Sequence, residues 1–255
     1  MPLLEVSDLK KIYTTRFGGA QVQALSSVSF SVAEGEYVAI MGESGSGKTT
    51  LLNILAALDK PSSGRVLLDG RDITGIPERE LSAFRRDKLG CVFQAFNLLD
   101  PVTLRDNIFL PLVLAGKSFE EMSGRIGPLA QKLGIAALLD KYPYEVSGGE
   151  KQRAAVARAL ITRPRIVLAD EPTGALDSRA TDALLRMFGE INEEGQTILM
   201  VTHSVKAASH AGRGLFRRGG GGYHPPYRAG PTAGEVFARI SDTLTVIAQG
   251  GELRA

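Results

Sequence analysis

Hydrophobic and polar positions along this chain switch between a period of two and a period near three and a half, and the switches mark its elements. Leu4 and Val6 alternate with polar neighbours in a strand predicted over Leu3 to Tyr13. Val28-Ser29-Phe30-Ser31-Val32 alternates strictly and predicts a second strand. The unbroken apolar run Tyr37-Val38-Ala39-Ile40-Met41 reads as a strand buried on both faces, and Leu51, Leu52, Ile54 and Leu55 then follow the spacing of one helix face. Val66-Leu67-Leu68 before Asp69-Gly70 predicts a hairpin-like edge. Leu81 to Phe84 reads as helix and Leu89 to Phe93 as strand. From about Gln94 to Ala159 the texture is helical, as in the series Met122, Ile126, Leu129 and Leu133. A buried strand returns at Ile166-Val167-Leu168-Ala169, a helix face at Ala183, Leu184, Met187 and Ile191, and a strand at Ile198-Leu199-Met200-Val201. Strands alternating with helices predict an α/β fold with a mainly parallel sheet. An antiparallel β part precedes it. One domain is expected over 3–255, with a core of about 3–93 and 160–212 and a helical subdomain inserted over about 94–159.

The junction after Met41 carries the first chemistry. Gly42-Glu43-Ser44-Gly45-Ser46-Gly47-Lys48-Thr49-Thr50 stands between a predicted strand and a predicted helix, the context a phosphate-binding loop requires. Its glycines let consecutive N–H groups turn inward around phosphate oxygens, and the helix N-terminus adds its positive end. Lys48 reaches the outer phosphates as a point charge, and the Thr49 hydroxyl is a ligand for Mg²⁺. The core is thus of the P-loop NTPase kind, and a nucleoside triphosphate is the expected ligand.

Asp170-Glu171 stands at the carboxyl end of the strand Ile166–Ala169, where open α/β sheets bind ligands. Asp170 suits Mg²⁺ held through water, and Glu171 suits proton removal from an attacking water. Ser147-Gly148-Gly149-Glu150 opens another helix. Ser147 and Glu150 form a capping box, but such a box does not need two glycines. Bare backbone beside a helix N-terminus is a second anion-binding surface.

The two phosphate-seeking loops, the Asp-Glu pair and the helical insertion together resemble the ATP-binding subunits of ABC transporters, from Leu4 to about Ala211. Val146-Ser147-Gly148-Gly149-Glu150-Lys151-Gln152-Arg153 is similar to that family's signature loop. The resemblance implies that Gln94 lies in the loop joining core to helical part and serves catalysis and Mg²⁺. It implies that Asp177 lies at a dimer seam, that His203 contacts the terminal phosphate, and that Tyr13 stacks on adenine. It further implies a head-to-tail homodimer in the ATP state, with the signature loop closing on the partner subunit's ATP, and an integral membrane permease as second partner.

Composition narrows the class. Of 255 residues, 44% are hydrophobic and 23% charged, ordinary for a globular protein, and the net charge of +2 gives no general ground for a nucleic-acid partner. No run approaches a membrane span and the first residues lack a signal peptide's pattern, so a cytoplasmic protein, peripheral on the inner face of the membrane through its permease, is expected. The single cysteine, Cys91, reads as a small core residue.

Val92 to Asp100 and Asp106 to Leu112 resemble the group serving macrolide export, lipoprotein release and antimicrobial-peptide resistance. Ser204 after His203, followed by Val205-Lys206, resembles the bacitracin-type branch. Phe96, Leu98, Leu99 and Phe109 are candidates for an apolar surface meeting the permease, or for core. A soluble ATPase acting on DNA or ribosomes, and a nucleotide-binding regulator without turnover, stand as alternatives. Towards the end, Gly219-Gly220-Gly221-Gly222 and Pro225-Pro226 predict an irregular segment over 213–231, before a helix marked by Val236, Ile240, Leu244 and Ile247.

Overall fold

The computed structural model describes residues 1–14, 19, 21–43, 45–217 and 223–228. The chain forms two compact units, Met1–Ile76 with Thr197–Ala255, and Pro77–Gln196.

In the first unit, β1 (Leu4–Thr14), β2 (Gln21–Val32), β4 (Ser63–Leu68) and β5 (Arg71–Asp72) form an antiparallel sheet in the order β2-β1-β4-β5. The predicted hairpin is there: β4 and β5 pair across Asp69 and Gly70, whose φ values of 53° and 74° give the left-handed turn that Asp-Gly favours. Where β1 and β4 shift register, Gly64 (φ 93°) is required, because a Cβ there would lie 2.5 Å from the Asp8 carbonyl oxygen.

The same unit holds β3 (Tyr37–Gly42), β8 (Thr197–Thr202) and β9 (Arg213–Arg217) in parallel, with β3 between the other two. Every residue of β8, and every residue of β3 except Gly42, is buried, which explains their unbroken apolar runs. Helix α1 (Lys48–Leu55) follows β3 and buries Leu51, Leu52, Ile54 and Leu55. The short helix α7 (Val205–Ala208) follows β8.

Two stretches of the segment expected to be irregular over 213–231 are strands. Arg213–Arg217 is β9, hydrogen-bonded along β3 with Ala39 opposite Gly214 and Ile40 opposite Leu215. Tyr223–Arg228 forms β10, antiparallel to β9 at the sheet edge. A buried neighbouring strand supplies backbone partners that composition does not reveal. Pro225 and Pro226 fall in the register shift between His224 and Tyr227, on an edge strand, where a missing N–H is tolerated. Arg213 anchors the start of β9 by donating to Glu36 and to the Ser31 carbonyl oxygen at 2.6 Å. Gly219–Gly222 and the helix expected around Val236 to Ile247 lie outside the described residues.

The second unit contains helix α2 (Glu78–Lys88), then the parallel pair β6 (Leu89–Phe93) and β7 (Ile166–Asp170). Between these strands run α3 (Leu104–Leu114), α4 (Phe119–Lys132) and α5 (Gly148–Leu160), and α6 (Ser178–Glu193) follows β7. Helices α3, α4 and α5 all fall within the stretch of about 94–159 expected to be helical. Helix α5 lies against the strands: a Cβ on Gly90 of β6 would sit 2.7 Å from the Ala159 carbonyl oxygen. The boundaries of the two units fall at Ile76/Pro77 and Gln196/Thr197.

Candidate active site

In the first unit the strand-loop-helix junction is built from backbone conformation. Gly45 and Gly47 have φ of 77° and 83°, in the left-handed region where a side chain is strained. Gly47 caps α1 without any side-chain acceptor, and the first turn of α1 contains no acidic residue. The helix therefore begins with amides that no side-chain cap occupies, a suitable anion site. Lys48 is 9% exposed, and its Nζ donates to the carbonyl oxygens of Gly42 at 2.7 Å and Glu43 at 2.8 Å. Its ammonium is thereby held against the backbone at the start of the loop. Ser46 Oγ is buried and accepts or donates no hydrogen bond among the described residues. Thr49 and Thr50 follow on α1, while Ser44 lies outside the described residues.

His203 is exposed directly after β8. Because Met41 of β3 pairs with Thr202 of β8, His203 and the loop after Gly42 begin at adjoining strand ends. The histidine and the glycine loop, far apart in sequence, thus leave from adjacent strands of this unit. Tyr13, near the end of β1, is 42% exposed; its hydroxyl donates to Asp59 Oδ2 at 2.8 Å.

In the second unit, β6 and β7 end together, with Phe93 paired to Asp170. Gln94 and Glu171 therefore begin adjacent loops. The Gln94 side chain lies over Gly174 so closely that a Cβ on the glycine would be 2.7 Å from Gln94 Nε2. Glu171 holds φ at 46°, a left-handed conformation strained for a residue with a side chain, at the point where the chain turns away from β7.

One residue that sequence reasoning passed over holds both loops. Gln152 of α5 is fully buried, and its Nε2 donates to the Phe93 carbonyl oxygen at 3.1 Å and to that of Pro172 at 2.7 Å. Arg158, two turns further on α5, donates to the carbonyl oxygens of Asn97 at 2.5 Å and Phe96 at 3.0 Å. Phe96 and Asn97 both have positive φ, 60° and 53°, so this grip secures a strained turn after Gln94. No local pattern announces Gln152 or Arg158. Their one signal is a polar residue on the buried face of a helix.

The same helix opens with the glycine loop. Ser147 is its N-cap and forms the predicted capping box, its N–H donating to Glu150 Oε2 at 2.7 Å. Hydrogen bonds from the Ser147 hydroxyl and N–H hold Glu150 below the usual carboxylate range. The two glycines differ. A Cβ on Gly149 would lie 3.0 Å from Ala180 Cβ, so helix packing asks for a glycine there. At Gly148 the nearest atom to such a Cβ is 3.7 Å away, an ordinary contact, and nothing inside this unit requires its bareness. Asp177 caps α6, its Oδ1 accepting from Ala180 N–H at 2.8 Å.

Of the apolar surface candidates, Phe109 is 4% exposed and belongs to the core, where it packs edge-on to Phe119 with ring centres 6.3 Å apart. Leu99 is 48% exposed. Cys91 is pushed up to about 11 by burial against the lesser pull of Arg158 and Arg85, so it stays a thiol at neutral pH. Among the described residues no helix is long and apolar enough to cross a membrane.

Gln94 and Asp170 of the second unit each offer an oxygen donor, as Thr49 does in the first, the hard type that suits Mg²⁺.

Comparison with known proteins agrees with this reading. Residues 25–174 match the ABC transporter family. The ABC transporter ATP-binding protein YvcR of Bacillus subtilis (strain 168) is 46% identical over 254 residues, covering 99% of this chain and 96% of that protein. The bacitracin export ATP-binding protein BceA of Halalkalibacterium halodurans is 42% identical over 248 residues, covering 97% of each. A solved dimeric, post-hydrolysis state of the ATP-binding cassette MJ0796, bound to ADP and Pi, superposes with a TM-score of 0.79 at 36% identity, covering 88% of this chain and 98% of that one. A phosphate loop, a strand-end Asp-Glu pair and a capped glycine loop, joined to likeness along nearly the whole chain, place this protein in the ABC transporter family as one of its ATP-binding, ATP-hydrolysing cassettes.

Proposed function

We propose that this chain works as a head-to-tail homodimer on the cytoplasmic face of a membrane permease, and that the transporter removes or detoxifies cell-wall-directed antimicrobial peptides. The observation that carries the cassette chemistry is the uncapped start of α1 with Lys48 folded over it. On this reading Lys48 leaves the Gly42 and Glu43 carbonyls for the outer phosphates of ATP, and the amides of Gly45 to Thr49 bind the remaining oxygens. Thr49, Gln94 and Asp170 would hold Mg²⁺, which would supply charge neutralisation at the phosphates. Glu171 takes the proton from the attacking water, Gln94 orients that water, and His203 donates to the terminal phosphate.

The partner subunit's ATP is met by Ser147, Gly148, Gly149 and Glu150. The ordinary 3.7 Å contact that a Cβ at Gly148 would make supports this, since a glycine not demanded by internal packing suits close approach of an outside group. Asp177 lies on the seam between subunits. The peptide substrate is supported by the match to BceA over nearly the full length, and by Ser204 after the histidine.

A growth-inhibition series tests the substrate. A host carrying Glu171→Gln in place of the native gene should become sensitive to bacitracin-like peptides, with macrolide tolerance and lipoprotein sorting unchanged. Unchanged peptide sensitivity with mislocalised lipoproteins would move the protein to lipoprotein release, and a macrolide-only effect would move it to drug efflux.

A further inference from the structure

Tyr13 sits in a small polar cluster that the phosphate chemistry does not use. Asp59 Oδ2 accepts from the Tyr13 hydroxyl at 2.8 Å, and Asp59 Oδ1 accepts from Lys11 Nζ at 2.6 Å. Lys11 Nζ also donates to the Lys60 carbonyl oxygen at 2.6 Å, and lies 4.8 Å from the centre of the Tyr13 ring, over its face. Asp59 is itself fixed. Its N–H and that of Leu58 both donate to the Asn53 carbonyl oxygen, closing the end of α1, and its Oδ1 accepts from Lys60 N–H at 2.7 Å. Burial alone would raise the Asp59 carboxyl, but hydrogen bonds from Lys11, Tyr13 and Lys60 hold it below the usual range, so it is a carboxylate at neutral pH.

The ring is therefore tethered at its hydroxyl to Asp59, which is itself bonded to the last turn of the helix that begins at Lys48. One face carries an ammonium. The residue as a whole is 42% exposed. We infer that Lys11 and Asp59 are positioning residues that turn Tyr13 into a one-sided platform for the nucleotide base, at a distance from the phosphate loop fixed by α1. This inference rests on the reading of Tyr13 as the residue that stacks on adenine. An ordered ring stacks without first losing rotamer freedom, and the cation on its far face is fixed before the base arrives.

The experiment measures equilibrium binding of ATP and of inorganic tripolyphosphate to the full chain and to Asp59→Ala, Lys11→Met, Tyr13→Phe and Tyr13→Ala. Base stacking on an aromatic residue sets the scale, so Tyr13→Ala should weaken ATP by about 10-fold or more, and Asp59→Ala and Lys11→Met by about 3- to 10-fold. Tripolyphosphate, which has no base, should bind each variant as it binds the native chain. Tyr13→Phe and Asp59→Ala should be non-additive, because each removes the same tether. Equal losses for ATP and tripolyphosphate would overturn the inference by showing a merely structural cluster. An ATP defect in Tyr13→Ala with none in Asp59→Ala or Lys11→Met would overturn the positioning role while leaving the platform. No ATP defect in Tyr13→Ala would overturn the platform itself.

Discussion

The phosphate loop of the first unit and the strand-end loops of the second do related work with different construction. Between Gly42 and Lys48 the shape comes from the local backbone: two glycines at positive φ, an uncapped helix start, and a lysine bonded to carbonyls five and six residues behind it. Around Glu171 the shape comes from far away. The backbone is strained, and what fixes it is Gln152, 20 residues from Pro172 and 59 from Phe93, reaching across from another helix. A local device fails only when one of its own residues changes. A device held by remote side chains also fails through residues that never touch the reacting groups.

The first way to test this contrast is to remove the charge from the local device. Lys48→Ala should reduce ATP hydrolysis to background and weaken ATP binding by about 100-fold or more, since a charge-assisted contact to phosphate is lost. Steady-state phosphate release and equilibrium binding measure both. Near-native turnover would remove the phosphate-loop assignment.

Glu171→Gln should keep ATP binding and slow hydrolysis by about 10²–10⁴-fold, the usual scale for a positioned general base. Light scattering at saturating ATP should then show dimers that persist. A fast variant, or one that stays monomeric, would count against the assignment.

Gln152→Ala sharpens the comparison, because it touches the remote device alone. Leaving the Phe93 and Pro172 carbonyl groups without their buried donor should lower stability by about 1–3 kcal/mol, read as a shift in the denaturation midpoint. Among molecules still folded, kcat should fall by about 10-fold while the affinity for ATP holds, as expected when a 1 Å displacement affects the reacting geometry. An equal loss in binding would show that the phosphate loop depends on α5 as well.

The glycine pair gives the smallest expected effects and separates packing from recognition. Gly149→Ala meets Ala180 at 3.0 Å and should cost about 1 kcal/mol of stability through crowding. Gly148→Ala has room and should leave the melting temperature unchanged, while lowering ATP turnover in the dimer. Equal stability losses would mean that Gly148 is a packing glycine too.

What could be read in the chain follows the same division. The strand before Gly42, the helix after it and the Asp69-Gly70 hairpin are set by neighbouring residues, and they stand where apolar spacing and turn chemistry put them. The capping box at Ser147 and Glu150 was readable for the same reason. The terminal strands were not, because β9 is stabilised by the ladder of β3, whose residues lie some 175 positions earlier, as Ala39 opposite Gly214 shows. Phe109 could be placed on a helix but not on its buried side, since that depends on Phe119 and the rest of the second unit. Gln152 and Arg158 sat in plain view beside the signature loop, and only three-dimensional contact gives them a role.

In the proposed dimer, ATP is enclosed by the phosphate loop of one subunit and the signature loop of its partner. Mixing two inactive variants, Lys48→Ala and Ser147→Arg, shows whether the two loops meet across subunits. A mixed dimer holds one site with an intact phosphate loop facing an intact signature loop, so ATP hydrolysis should appear on mixing where neither variant alone shows any. No hydrolysis in mixtures proven to contain mixed dimers would mean that the two loops do not share a site.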